Sequence, residues 1–228
     1  MRVIDINSIP RNFPEDDKKR AIAARLKRDK RKWYVVGFCL TFLAVVSFCW
    51  VFYLRETKNL KAQDDMFQAI YYFEAGDFDK ALKGDGHHKG LLDVIQQYPY
   101  TATANLACLY VGLAYMHQKQ YGQVHAFLSR VKVKDWILQA RSWCVMGDAY
   151  SEQKNYKQAA IYYIKAAHYK ANSVYTPGYL VKAAIAFEAD AQYENAYHCY
   201  QEIVDKYPTT QYGRELAVKE ASRLSALL

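Results

Sequence analysis

Proline and glycine are scarce, at 5 and 10 of 228 residues. That excludes collagen-like and proline-rich linker classes. The chain has no C-x-x-C pair, no H-E-x-x-H, no G-x-S-x-G and no glycine-rich phosphate loop. It therefore presents no recognisable motif for a metal, an activated nucleophile or a nucleotide, and the expectation is a non-enzyme without cofactors. Positive charge is also missing from most of the chain. The formal net charge is +8, but residues 1–33 hold 11 Lys/Arg against 5 Asp/Glu, which leaves only +2 for residues 55–228. The main body lacks the cationic face that nucleic acid requires, so no nucleic-acid partner is expected. What is present is a globular composition, 52% hydrophobic and 24% charged, with 21 tyrosines that need a reason.

One long apolar run stands out. Tyr34–Leu54, YVVGFCLTFLAVVSFCWVFYL, contains no charge over 21 residues. At about 1.5 Å per residue it reaches about 31 Å, the thickness of a bilayer core. Trp33 and Tyr34 stand at one end, and Trp50 and Tyr53 at the other, as interfacial aromatics do. The run Lys27-Arg28-Asp29-Lys30-Arg31-Lys32 precedes it, while only Arg55 and Lys58 follow closely, with Glu56 between them. The positive-inside rule then predicts a single-pass protein with a cytoplasmic N-terminus and an outward C-terminal domain. A cleaved signal peptide would have a shorter apolar region and small residues at its exit; here the exit is Trp50-Val51-Phe52-Tyr53-Leu54. Residues 15–32 read as a basic cytoplasmic helix and residues 1–14, with Pro10 and Pro14, as extended chain. The predicted organisation is a cytoplasmic segment over 1–32, a transmembrane helix over 33–54 and an outward domain over 55–228.

The outward domain repeats. Gly112-Leu113-Ala114-Tyr115 and Gly147-Asp148-Ala149-Tyr150 lie 35 residues apart. Ala184–Phe187 falls in the same frame 37 residues later, and Ala69–Tyr72 falls in it 43 residues earlier. This is the tetratricopeptide frame of about 34 residues, two antiparallel helices per repeat. The third copy is clearest, with Trp143, Met146, Gly147 and Tyr150 on its first helix and Ala159, Tyr163 and Ala166 on its second. The first copy is interrupted by Lys83-Gly84-Asp85-Gly86-His87-His88-Lys89-Gly90, and its second helix restarts at Leu91. Small residues allow close helix approach and the tyrosines fill the space beside them, which accounts for the tyrosine content. The segment Tyr212–Leu228 reads as the capping helix that an open solenoid needs. The predicted fold is all-α, four helix pairs plus a cap on a single N-terminal transmembrane helix.

Residues that could carry chemistry have plainer readings. His87 and His88 adjoin Asp85, but adjacent histidines in a glycine-rich insertion do not converge on a metal, and a solvated loop is expected. Cys108, Cys144 and Cys199 fall on repeat helices and are expected to be buried apolar positions, although Cys108 and Cys144 occupy neighbouring first helices and could approach each other.

The inner face of the first helices is the expected binding surface. In the repeat frame it carries Met66, Ile70, Phe73, Leu106, Leu109, Leu113 and Met116 in copies one and two. Copies three and four place Arg141, Cys144, Asp148, Glu152, Val181, Ile185 and Glu188 there. The expected partner site is Met66, Ile70, Phe73, Leu106, Leu109, Leu113, Met116 and Arg141: an apolar stripe suited to an apolar client segment, unless the chain covers it itself. Within the bilayer, Phe38, Phe42, Phe48 and Phe52 are the expected lateral contacts.

The layout, and most specifically the segment Val131–Ala166 with its Trp-containing turn, Ala-Arg helix and Gly-Asp pair, resembles the YfgM-like family of bacterial inner-membrane proteins. The longer basic N-terminus and the Gly84–Gly90 insertion depart from that family. The resemblance implies a periplasmic repeat domain on an inner-membrane anchor. It also implies an accessory role at the SecYEG translocon, with a membrane-anchored periplasmic chaperone and emerging secreted chains as partners. The alternative is a membrane-anchored scaffold for envelope assembly, in outer-membrane biogenesis, cell-wall synthesis or another secretion machine. A third reading is a sensor passing an outside signal to the basic segment.

Overall fold

The computed structural model describes residues 15–228; the extended segment expected over 1–14, and the basic side chains of 27–32, lie outside the described residues. The fold divides into Met1–Arg55 and Glu56–Leu228. The first helix, α1, runs without a break from Glu15 to Glu74. No proline and a single glycine, Gly37, fall inside this span, so nothing interrupts the backbone ladder. Its apolar stretch is the one candidate membrane span among the described residues. There the Thr41 hydroxyl donates to the Phe38 carbonyl at 2.8 Å, so its polar group is satisfied within the helix, as a lipid environment demands.

The second unit is a solenoid of helical hairpins. After the last turns of α1 come α2 (Phe78–Lys83), α3 (Leu91–Gln97), α4 (Ala102–His117), α5 (Tyr121–Leu128), α6 (Trp136–Glu152), α7 (Tyr156–His168), α8 (Thr176–Ala189) and α9 (Tyr193–Lys206). A π-helical turn over Tyr212–Ala217 and α10 (Val218–Ser225) close it. Side-chain caps set several starts. Thr101 accepts from the Ala104 amide, Asp135 from Ile137 and Leu138, and Asn155 from Gln158, each satisfying orphan amides of a first turn. The buried faces are largely alanine: Ala104, Ala107 and Ala114 on α4, Ala159, Ala160, Ala166 and Ala167 on α7, and Ala183, Ala184 and Ala186 on α8. Two hydrophobic clusters form. One gathers α1 to α5 and a face of α6; the other gathers the opposite face of α6 with everything that follows, and Trp143 packs against both. The expected C-terminal cap is present, but its first turn is π rather than α. It seats Gly213 directly on the Tyr207 carbonyl, where a Cβ has no room, and buries Ala217 at 0% exposure.

The hairpin turns share one geometry. In all four repeats the second residue after the first helix has a positive φ: Gly76 at 79°, Lys119 at 59°, Lys154 at 60° and Ala191 at 57°. The following amide reaches back five residues, as in Asp77 to Tyr72, Gln120 to Tyr115, Asn155 to Tyr150 and Gln192 to Phe187, at 2.8–2.9 Å. This is the Schellman arrangement, in which left-handed backbone favours glycine. Only the first repeat has one. Ala191→Gly is expected to stabilise by about 1 kcal/mol, roughly 2–4 °C in the melting midpoint, and Gly76→Ala to cost a similar amount. Thermal unfolding of the two variants checks this, and equal midpoints would remove the argument.

The insertion in the first repeat is a strap rather than a free loop. Tyr72 donates to the Asp85 carboxylate at 2.6 Å, and the amides of His87 and His88 donate to its other oxygen. These bonds, the Tyr72 hydroxyl first, hold the Asp85 carboxyl far below the usual range. His87 and His88 themselves remain exposed. At the far end Lys89 and Tyr98 both donate to Asp65 on α1, at 2.7 and 2.5 Å. Burial pushes the Asp65 carboxyl up, but those two hydrogen bonds and the lysine charge outweigh it and leave its pKa below the ordinary value. A depressed folded pKa supplies stability above the unfolded value near pH 4, and that stability disappears as pH falls through the folded pKa. Asp65→Asn should therefore cost about 1 kcal/mol at pH 7 and less at pH 2, below the unfolded pKa, read by urea unfolding at both. An equal cost at both pH values would mean the charge is irrelevant.

Candidate interaction groove

The concave surface is built from the first helix of each pair. At corresponding positions stand Met66, Leu109, Cys144 and Val181, all buried, at 5%, 3%, 6% and 9% exposure. These four are the floor between neighbouring helices. Met66 and Leu109 therefore lie within the core rather than on an open apolar stripe, because adjacent first helices pack through this position. Ile70, Phe73, Leu106, Leu113 and Met116 are half-buried and packed against the core. Phe73 meets Phe78 and Tyr110 edge-on at 5.5 and 5.2 Å, and Phe78 stacks on His117 at 4.6 Å. The amino-terminal half of the groove is thus largely filled by its own aromatics. The start of the repeat-forming part of α1 is tied in as well, since Asn59 accepts from the amide and hydroxyl of Thr103 at 3.0 and 2.9 Å. Residues 57–65 belong to the first repeat helix and are not a flap over the groove.

The distal half is different. Arg141 is exposed. Asp148 accepts from the Tyr163 hydroxyl and the Lys182 ammonium, both at 2.7 Å, and Lys182 lies 5.6 Å from the centre of the Tyr163 ring. Burial, reinforced by the Asp148 charge, pushes the Tyr163 phenol far up and the Cys144 thiol to about 12. Cys108, Cys144 and Cys199 are free and buried, as the sequence suggested. Beyond this network opens a cavity of about 330 Å3 lined by Val181, Ile185, Glu188, Tyr200, Leu216 and Glu220. Ile185 is 57% exposed at its mouth. Glu188 and Glu220 both bind Arg223, so two carboxylates face one guanidinium. The result is an apolar recess whose two rim carboxylates are held by Arg223. The repeat frame placed Val181, Ile185 and Glu188 on this face, whereas Leu216 and Glu220 were read only as part of the capping helix. Their spacing of four on the cap puts them on one helix side, and that signal was readable.

Phe38, Phe42, Phe48 and Phe52 on the apolar part of α1 are all exposed. At about 100° per residue they share one face roughly 120° wide.

No family model matches the sequence, and no curated protein matches it. Solved structures do. A putative kinesin light chain of Podosopora anserina, described as nearly identical TPR-like repeats, is 13% identical over 74% of this chain and 87% of its own, with a TM-score of 0.54. A substituted form of the same repeats is 14% identical over 74% of this chain and 86% of its own, again with a TM-score of 0.54. At such identity the likeness concerns the fold: this chain carries a tetratricopeptide-type helical solenoid behind one candidate membrane span.

Proposed function

We propose that this chain is a non-enzymatic, membrane-anchored scaffold that binds protein segments in the distal half of its solenoid. The observation that carries the reading is the recess around Ile185, the apolar opening left on a concave face whose other half is self-filled. A solenoid of hairpins offers an extended concave surface for such segments. In its finer form the reading is an accessory subunit of the bacterial Sec translocon, anchored in the inner membrane with its repeats in the periplasm and bound to a membrane-anchored chaperone. The resemblance of Val131–Ala166 and the basic residues before the span support that form.

Two experiments test it. Gentle solubilisation and capture by a C-terminal tag should bring down translocon subunits with a membrane-anchored chaperone. Envelope-assembly proteins in their place would keep the scaffold and remove the translocon. A photoreactive residue at Ile185 should crosslink to a partner, whereas one at Ile161, exposed on the second helix of its pair, should not. Equal crosslinking from both would eliminate the groove.

A further inference from the structure

The first helix of a repeat array has a face that a preceding repeat would cover. In Glu56–Leu228 that face of α1 carries Leu60, Phe67 and Tyr71, exposed at 54%, 75% and 61%. The buried residues Ala62, Met66 and Ala69 lie on the opposite side of the same helix. Leu60, Asp64, Phe67 and Tyr71 follow one another at spacings of four, three and four, the a/d pattern of a coiled-coil seam.

We infer that this face pairs with the same face of a second copy, as a short parallel helix pair. Two features select that occupant. Copies anchored through the preceding apolar run enter the membrane in the same sense, so their α1 helices are parallel; the inference rests on the anchored reading in this respect. Charge supplies the second. With Leu60 and Phe67 at d, Glu56 takes position g and Lys61 the e position five residues on, and both are exposed. In a parallel pair these positions face each other across the seam, so the contact between Glu56 of one copy and Lys61 of the other occurs twice by symmetry. The next such pair, Gln63 with Gln68, is neutral and hydrogen-bonding. Asp64 occupies an a position, where pairing brings two carboxylates together. Their repulsion weakens the pair, so association is modest and strengthens when Asp64 is replaced by asparagine.

The test is disulfide trapping of the full chain in native membranes, in a background with Cys39 and Cys49 replaced by serine. Leu60→Cys or Phe67→Cys should give a dimer on mild oxidation, and Lys58→Cys or Ile161→Cys, both away from the seam, should give several-fold less. Adding Asp64→Asn should raise the trapped fraction roughly twofold or more. Glu56→Lys should lower it, and Glu56→Lys with Lys61→Glu should restore it. Equal trapping at all four positions, no trapping, or a band joined to a different protein at 60 and 67 would each overturn the pairing. Carbonate extraction of the same membranes separates the two readings. A chain released into the supernatant defeats the anchor, while a retained chain without trapped dimer defeats the pairing alone.

Discussion

Gly147→Val should lower the stability of the repeat domain by about 3 kcal/mol or more, roughly 6–12 °C in the melting midpoint. A Cβ at this position would lie 2.6 Å from Cε1 and 2.7 Å from Cδ1 of Tyr163. Tyr163 cannot swing aside cheaply. Its ring is 4% exposed, its hydroxyl is held by Asp148 at 2.7 Å, and Lys182 lies over its face. Moving the ring would strand a buried phenol and uncouple Asp148 from one of its two donors. Gly122, where a Cβ would meet nothing within 4 Å, provides the control: Gly122→Ala should be neutral or slightly stabilising. Gly147→Ala combined with Tyr163→Leu should cost less than the sum of the single changes, since the smaller side chain releases the clash. Denaturant unfolding measures all of these. A Gly147→Val variant within about 0.5 kcal/mol of the parent, the range of an ordinary surface change, would show that the helices separate freely here.

Leu224→Asp should be comparably severe, at about 3–5 kcal/mol, because it places an unpaired carboxylate where a side chain at 0% exposure stood. The damage should be local. α10 packs on α9, and the preceding π turn on α8 and α9. In a solenoid, each unit is stabilised by its neighbours only. Amide exchange should therefore lose protection first in α8, α9 and α10, while α4 and α5 keep theirs. Loss of protection throughout the domain at once would mean that the array unfolds as a single unit.

The repeat architecture was legible because its signals are local. Gly147 and Tyr163 face each other in the structure as the frame implies, and the break at Gly84–Gly90 separates two short helices as the glycines suggest. The groove was less legible. The frame placed Met66 and Leu109 on the inner face correctly, but periodicity gives direction and not depth. How deep a position sits depends on how closely the helices pack, as where Gly112 lets α4 close on Leu128 of α5, and that appears only in three dimensions. The strap was hidden for a related reason. Lys89 and Tyr98 lie 24 and 33 residues from Asp65, too far for any local pattern. The continuity of α1 is a different case. Composition changes sharply along it, from basic to apolar to mixed, yet nothing in the backbone ends the helix where the composition changes.

The succession of helices also bears on how fast the domain forms. Each helix packs mainly on the one before and the one after it, so few contacts join distant parts of the chain. Chains of this kind have low contact order and, at domain size, fold in microseconds to milliseconds. The turns inside the pairs are only a few residues long, so each hairpin closes with little loss of chain entropy. Folding can then proceed pair by pair as successive segments become available, without waiting for the last residue. A protein assembled in that order presents its first repeats while its recess, completed by Leu216 and Glu220 of the closing helix, is still missing. The recess itself therefore exists only in the finished molecule.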